Sequence, residues 1–408
     1  MKKIIYFITM LALSLAMTTC SNSPTEPGNR ERRALTSVEK ALVQADNSFG
    51  LKVFQEINNR EKDSNIFISP LSISMALAMT LNGANGATKE DMQNALELAG
   101  LSDQQINENY KSLIELLVRL DPKVKFQIAN SIWYRDDMIF EQSFIDQNKK
   151  YFDALISALD FNSPNAKNNI NAWVDEQTNG KIKEIVEKIN RNDVMILINA
   201  IYFKGIWKYQ FDERQTSDAL FTLPDNSQIP CKMMVQSGEF QYFANENFQA
   251  IDLPYGDEFF SMLLLLPKPS VDIDSLIMDF DQNNWNQWIS LFQKQSGTIF
   301  LPRFKLSYKL KMNDVLIALD MGVAFSSEAD FTRIYQPGGL FISEVNHKTF
   351  VEVNEEGTEA AAATSVVISK TSISGFIMQV DRPFIVAIRE NHSGTILFIG
   401  KIVNPIED

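Results

Sequence analysis

Two nearly continuous apolar runs place the strongest constraint on the fold of this chain. They cover residues 194–203 and 259–266, and each has the length of one β-strand. A strand that carries apolar side chains on both faces must be covered on both faces. We therefore expect sheets that lie inside the protein, between other layers of secondary structure.

Helical spacing dominates the first half of the chain. Apolar residues recur at helical intervals after Ser37, and Pro70 stands in the first turn of a second helix predicted over 69–82. Further helices are predicted over 87–99, 106–120 and 170–177. The last of these is followed by Asn179 and Gly180, which are typical of a helix end.

Strand signals become dense after residue 194. The predicted strands are 126–134, 194–203, 259–266, 299–306, 341–353, 384–389 and 395–403. Helical and strand patterns intermix after residue 34 without a flexible linker or an internal repeat. The length of 408 residues would allow two or three domains, but this pattern favours an α+β fold in a single domain over 35–408.

The charge balance argues against a polyanion as partner. The formal net charge is −13, and the chain has no clustered basic face of the kind that binds phosphates. The helical stretch 104–120 offers only Lys111 and Arg119 as cations, so activation by a heparin-like polymer is not expected. Nucleic acid is not expected as a partner either.

Cysteine and histidine are both rare. The two cysteines, Cys20 and Cys231, cannot build a disulfide framework or a CxxC site, and Cys231 is expected to be a buried thiol. Two histidines leave little scope for a histidine-rich metal site. No metal and no cofactor is expected.

Residues 1–19 have the form of an export signal. Lys2 and Lys3 precede an apolar run over 4–17, and Cys20 follows shortly after. The pattern resembles a bacterial lipoprotein signal, in which Cys20 would become the lipidated first residue. Thr19 stands where glycine, alanine or serine is usual, so an ordinary signal peptide or an N-terminal anchor helix is the alternative. The run is shorter than the ~20 residues that a spanning helix needs.

Residues 20–34 are predicted to be a tether between a membrane and the folded domain. Serine, asparagine, proline and glycine are common from residue 21 to residue 29, and such sequences are flexible. The protein is therefore expected to be exported and lipid-anchored in a bacterial cell envelope.

Seven short motifs occur in an order that resembles one protein family. They are NIFISPLSISMALAMTLNGA (65–84), NAIYFKGIW (199–207), LPYG (253–256), SMLLLLP (261–267), LPRF (301–304), RPFIVAIRE (382–390) and LFIGKIVNP (397–405). Together they resemble the serpins, and the resemblance extends from about residue 38 to residue 406. It implies a fold of three β-sheets and about nine helices, with an exposed reactive-centre loop between two C-terminal strands.

The segment VNEEGTEAAAATS, residues 353–365, resembles the hinge of that loop. The hinge residues implied by this resemblance are Glu355, Gly357, Thr358, Glu359, Ala360, Ala361, Ala362 and Ala363. Four successive alanines alone would also suit an exposed helix or a disordered linker. In the serpin mechanism, a protease attacks the loop, and the cleaved loop then enters the main sheet as an added strand.

The hinge composition suits such an insertion. A strand alternates between two faces, so an inward Thr358 places Ala360 and Ala362 inward too, followed by residues 364, 366 and 368. Glu359 then faces water. The inward set is small or apolar apart from two threonine hydroxyls, and no buried charge opposes insertion. This pattern is typical of inhibitory serpins.

The scissile bond is located only approximately. Counting from Glu355 by the usual hinge length favours Thr371, and counting back from Pro383 favours Ser372. Lys370 is the cationic neighbour. With all three as candidates, we expect a broad inhibitor of trypsin-like, elastase-like and subtilisin-like proteases.

The resemblance also implies two clusters that control opening of the main sheet. The shutter cluster comprises Ser69, Ser72, Asn199 and His347. The breach cluster comprises Trp207 and Arg303, and Arg303 is expected to pair with the hinge residue Glu355. A serine hydrolase is the rival interpretation of His347, but the sequence has no G-x-S-x-G motif and no recognisable partners for either histidine.

The expected function is therefore suicide inhibition and not enzymatic catalysis. The partners would be serine proteases, in covalent complexes, with cysteine proteases as a second class, and the native protein would be a monomer. Two alternatives remain: a non-inhibitory serpin acting as carrier or chaperone, and a lipoprotein that binds a surface partner. Either would be cleaved as a plain substrate.

Overall fold

A computed structural model describes residues 33–190, 192–358 and 375–406. Residues from Leu35 onward belong to one compact unit. Cys20 and the predicted signal peptide lie outside the described residues. The following candidates for the hinge and for the scissile bond also lie outside the described residues: Glu359, Ala360, Ala361, Ala362, Ala363, Lys370, Thr371 and Ser372.

Nine α-helices occur in the described part of the chain. They are α1 (Ser37–Arg60), α2 (Pro70–Leu81), α3 (Gly86–Ala95), α4 (Asp103–Val118), α5 (Gln142–Phe152), α6 (Ala166–Gln177), α7 (Ile273–Met278), α8 (Gln282–Ser290) and α9 (Asn313–Leu316). Capping residues fix several starts: Thr36 and Glu39 form a capping box on α1, and Ser69 caps α2 just before Pro70. None of the helices within these residues is both long and apolar enough to span a bilayer.

Fifteen strands accompany these helices within the described ranges. They are β1 (Ile66–Ile68), β2 (Val124–Arg135), β3 (Leu155–Leu159), β4 (Met195–Ile206), β5 (Ser217–Thr222), β6 (Gln228–Ala244), β7 (Phe248–Pro254), β8 (Phe260–Pro267), β9 (Gln293–Pro302), β10 (Phe304–Lys311), β11 (Asn346–Val353), β12 (Gly357–Thr358), β13 (Phe376–Gln379), β14 (Phe384–Glu390) and β15 (Ile396–Ile402). The α+β class predicted from the sequence is confirmed.

The strands form a six-stranded central sheet and a nine-stranded sheet. The central sheet has the order β10-β11-β12-β4-β2-β3, and the other has the order β1-β15-β14-β8-β7-β6-β9-β13, with β5 paired to β6. The long strand β6 pairs with β5 near its start and with β7 near its end. Because β6 joins two halves, hydrogen bonding counts two sheets where the resemblance implied three.

Both faces of the central sheet are covered, as the apolar run 194–203 requires. The buried helix α2 lies against β4 on one face. On the other face, Ile170 and Val174 of α6 pack with Trp133 of β2 and Ile198 of β4. The run 259–266 corresponds to β8, which is buried at every position.

Several predicted boundaries are wrong; helices α4 and α6, for example, begin three and four residues before the predicted starts at 106 and 170. The strand predicted over 299–306 is two strands in different sheets, since residues up to Pro302 pair with β6 whereas the chain from Phe304 onward pairs with β11. The strand predicted from 341 begins only at Asn346. Helix α3 ends at Ala95, four residues early, because Glu97 adopts a left-handed conformation with φ of 59°.

Candidate functional site at the hinge and the centre of the central sheet

The turn after β11 returns the chain into the central sheet. The Asn354 side-chain oxygen accepts hydrogen bonds from the N–H groups of Glu356 at 3.0 Å and Gly357 at 3.2 Å. The resulting strand β12 pairs antiparallel with both of its neighbours: Thr358 lies opposite Val353 of β11 and opposite Gly205 of β4. The first hinge residues therefore occupy a strand position between β11 and β4.

Two glycines permit this close approach. A Cβ atom on Gly357 would lie 2.1 Å from the carbonyl oxygen of Gly205, and one on Gly205 would lie 2.8 Å from the ring of Tyr255. Both separations are shorter than any tolerable contact. A side chain on Gly357 would therefore push β12 away from β4, and one on Gly205 would displace the Tyr255 ring.

Glu355 is held at the base of the hinge. One carboxylate oxygen, Oε1, accepts from Arg303 Nη2 at 2.6 Å and from Arg303 Nε at 2.8 Å. The Thr216 hydroxyl donates a short hydrogen bond to the same oxygen. The Phe211 N–H also binds the Glu355 carbonyl oxygen at 3.0 Å. The fork of the guanidinium explains why arginine suits this position.

Trp207 binds the turn from the other side. Its indole Nε1 donates to the Asn354 carbonyl oxygen at 2.9 Å, and its backbone N–H donates to the Glu356 carbonyl oxygen at 2.9 Å. The indole stacks on the ring of Tyr255, with ring centroids 4.5 Å apart and planes 10° apart. The two breach residues predicted from the sequence, Trp207 and Arg303, thus both contact the hinge turn.

Tyr255 contacts the hinge directly. Its hydroxyl lies 2.6 Å from the Thr358 hydroxyl, and both side chains are buried. Burial raises the pKa of the Tyr255 phenol far above its usual value, so the group is an O–H donor or acceptor at any working pH. The inward orientation expected for Thr358 agrees with this burial.

The four shutter residues form a chain of hydrogen bonds under the sheet. The Ser69 N–H donates to His347 Nε2 at 3.0 Å, and the Ser72 N–H donates to Ser69 Oγ at 3.3 Å. Ser72 Oγ then donates to the Asn199 carbonyl oxygen at 3.3 Å. Because Ser69 and Ser72 belong to the start of α2, this helix connects β11, which carries His347, with β4, which carries Asn199.

The environment of His347 excludes a hydrolase triad among these residues. Burial lowers the pKa of His347 to about 3, so the ring is neutral and Nε2 only accepts a hydrogen bond. The Ser69 hydroxyl donates at 2.6 Å to the carbonyl oxygen of Leu397 and not to His347. His347 is therefore a structural connector, and Ser69 is not an activated nucleophile.

A strap crosses the outer face of the central sheet after α6. We define it as residues 179–187. At its start, Lys125 of β2 donates to Asn179 Oδ1 at 2.9 Å, and further on, Lys348 of β11 donates to the Glu184 carbonyl oxygen at 2.9 Å. Lys309 of β10 forms a short ion pair with Glu187. The strap therefore contacts strands on both sides of β12.

Three residues of the site were missed by the sequence analysis. Thr216 and Tyr255 touch the hinge, and Asn130 Oδ1 accepts from Asn199 Nδ2 at 2.5 Å. Tyr255 belongs to the LPYG motif, and Asn130 is a polar residue inside a predicted apolar strand, so both carried a signal. Thr216 carried none, because only the fold brings it to Glu355.

The whole domain matches one known family. The family described as serpin (serine protease inhibitor) matches residues 44–405. The chain belongs to the serpin family. A serpin named leukocyte elastase inhibitor from Sus scrofa is 36% identical over 380 residues, which cover 89% of this chain and 99% of that protein.

Solved serpin structures share the fold. The crystal structure of human thyroxine-binding globulin with thyroxine has a TM-score of 0.84 and 27% identity, over 91% of this chain and 100% of that one. The native-state crystal structure of tengpin, a thermophilic serpin, has a TM-score of 0.82 and 31% identity, over 91% of this chain and 96% of that one. The serpin fold expected from the motifs is confirmed. Family members include protease inhibitors and, as thyroxine-binding globulin shows, proteins that bind a small ligand.

Proposed function

We propose that this serpin is a suicide inhibitor of serine-type endopeptidases. The observation that carries the proposal is the position of β12, because Gly357 and Thr358 already lie between β11 and β4 and pair with both. An added strand that starts from Thr358 would need no change of register. Continued opposite β4 in the same register, it would bring residue 368 opposite Met195, the first residue of that strand.

This register suits the chemistry of the trap. The protease cleaves within the loop and remains attached to it as an acyl-enzyme, so the loop must enter the sheet before water hydrolyses that ester. The strand 357–368 would use the full length of β4. The candidate bonds at Lys370, Thr371 and Ser372 would then lie just past the far end of β4. The attached protease would be moved to the opposite end of the sheet.

The finer target choice is also part of the proposal. Lys370 suits trypsin-like proteases, whereas Thr371 and Ser372 suit elastase-like and subtilisin-like enzymes, with cysteine proteases as a further class. The native inhibitor is proposed to be a monomer that becomes covalently bound to its target. The similarity to leukocyte elastase inhibitor supports inhibition in general and not a particular target.

A covalent complex with a protease is the decisive test. Incubation with trypsin, elastase and subtilisin should give SDS-resistant complexes, and mass spectrometry of the C-terminal peptide should locate the cut at residues 370–372. Thr358→Arg should be cleaved without forming a complex, because it would place a charge on the buried face of the added strand. Glu359→Arg is the matched control, since the alternation predicts that this side chain faces water. Cleavage of the wild type by all three proteases without any complex would contradict the proposal.

The second candidate function is that of a ligand carrier. It is favoured by the similarity to thyroxine-binding globulin, whose structure was solved with thyroxine. A carrier would be cleaved by the same proteases as a plain substrate. The absence of complexes, together with retained folding, would favour this function.

We also propose export and lipid anchoring through Cys20. The lysines and apolar run of residues 1–19 support it, and the tether predicted over 20–34 separates the anchor from the serpin domain. Expression in a bacterium with a labelled fatty acid should label the wild type and Cys231→Ser but not Cys20→Ser. Cys231 is buried in the domain, which makes it a suitable control. An unlabelled wild type in the membrane-free fraction would contradict the anchor.

A further inference from the structure

The Tyr255 hydroxyl lies at the point where the hinge enters the central sheet. It is 2.6 Å from the Thr358 hydroxyl, inside a site where both residues are buried. In the described part of the hinge, Thr358 is the last residue, and this hydrogen bond is the one that its side chain makes with the protein body. The backbone pairs of β12 hold the chain, whereas this bond holds one particular side chain.

The ring of Tyr255 is fixed from several directions. It stacks on Trp207, and it meets Phe203 edge-on with ring centroids 5.1 Å apart. The missing side chain of Gly205 leaves the space that the ring fills. Since aromatic packing determines the ring position, the Tyr255 hydroxyl has a fixed place. The hydrogen bond therefore forms only when Thr358 occupies its position in the central sheet.

We propose that Tyr255 is a positioning residue that keeps Thr358 docked in the central sheet before cleavage and so fixes where strand insertion begins. Insertion then starts from a first residue already in place, and no separate docking step delays it. This inference rests on the proposed inhibitory function for its consequence, but docking itself can be measured without a protease.

Loss of the bond should unseat the hinge. In Tyr255→Phe the ring and its stack on Trp207 remain, but the buried Thr358 hydroxyl loses its partner. An unsatisfied buried hydroxyl shifts the equilibrium between docked and undocked hinge by about tenfold. Thr358→Val removes the other partner without changing the size of the side chain, and it should have a similar effect.

The first experiment measures docking directly. Hydrogen–deuterium exchange of peptides that end at or before Thr358 should be about tenfold faster in Tyr255→Phe than in the wild type. Tyr308→Phe is the matched control, because Tyr308 is a buried tyrosine whose hydroxyl donates to Glu61 at 2.9 Å, away from the hinge. Equal exchange of the hinge peptides in Tyr255→Phe and the wild type would overturn the proposal.

The second experiment measures the consequence for trapping. The ratio of cleaved free inhibitor to covalent complex should rise by about tenfold in Tyr255→Phe and in Thr358→Val. Insertion would be slower in both variants, so more of the acyl-enzyme would be hydrolysed before it is trapped. The double variant should be no worse than either single variant, since both remove the same bond. Additive effects would overturn the role of the bond. If the wild type forms no complex at all, the inhibitory function fails, and the exchange experiment still decides whether Tyr255 docks the hinge.

Discussion

The carboxylate of Glu355 is buried, with 2% of its side chain exposed, whereas the Arg303 guanidinium that binds it is 42% exposed. The pair is therefore a surface cation that neutralises a buried anion at the start of the hinge. Such an anion depends on its partners, because a buried charge without them is strongly destabilising.

Reversal of the buried charge should release the hinge. In Glu355→Lys, a buried ammonium would face Arg303, and we expect a loss of about 3 kcal/mol of local stability. The opened sheet could then accept the loop of a second molecule, so gentle heating should give polymers that size-exclusion chromatography detects. The charge-swapped double variant Arg303→Glu/Glu355→Arg should recover part of the monomer. Glu355→Lys that stays monomeric on heating would argue against the importance of the pair.

His347 should make stability fall at acid pH. Its pKa is lowered to about 3 by burial, whereas the unfolded chain has a pKa near 6.5. The unfolded state therefore binds the proton first, and stability is lost as pH falls from about 6.5 towards 3, by up to about 1.4 kcal/mol per pH unit. Urea unfolding of His347→Gln should show a shallower acid slope than the wild type. Parallel profiles for wild type and His347→Gln would contradict this assignment.

Asp46 should have the opposite effect near neutrality. Burial raises its pKa to about 7, although the hydrogen bond that the Tyr110 hydroxyl donates at 2.6 Å acts to lower it. The folded state then holds a proton that the unfolded state releases, so stability is lost as pH rises from about 4 to 7. The free energy of unfolding of Asp46→Asn, relative to that of the wild type, should therefore rise across this range, by up to ~4 kcal/mol in all. Equal pH profiles of the urea midpoint would show that Asp46 is ionised in the folded protein.

The strap should slow spontaneous insertion of the uncleaved loop. Lys348→Met removes the hydrogen bond to the Glu184 carbonyl, and conversion of intact protein to a heat-resistant form should become about threefold to fivefold faster. Raised salt should have a similar effect, because the Lys309–Glu187 pair is partly exposed and would be screened. Lys311→Met is the control, since Lys311 binds Glu344 at 2.9 Å and not the strap. Unchanged conversion rates in Lys348→Met would contradict a restraining role.

Many helices and strands were predictable because the local sequence of a single segment is enough to indicate each of them. The apolar run of β8 fixes a buried strand by itself, and Ser69 with Pro70 marks the start of α2. The split at Arg303 was not predictable, since the apolar pattern continues across it and only the pairing of Phe304 with Val353 shows the change of sheet.

Only those residues of the site that lie in the family motifs or in the hinge segment were predictable. The resemblance named the breach and shutter residues, and their contacts follow from strands that carry those motifs. Tyr255 and Thr216 depend instead on where the turn after β11 places Thr358 and Glu355. The strap depends on lysines from three separate strands, which share no pattern in the sequence.

The strand order of the nine-stranded sheet determines what happens to the chain after a cut in the loop. Strand β14 lies between β15 and β8, and β15 lies between β14 and β1, so both C-terminal strands are interior strands. Cleavage would make the protein a two-chain complex without detaching the smaller chain, because β14 and β15 stay paired on both sides and β13 stays paired with β9. The C-terminal fragment should therefore co-purify with the body under native conditions and separate only in denaturant. Native mass would consequently change by one water molecule, although the covalent connection has been lost.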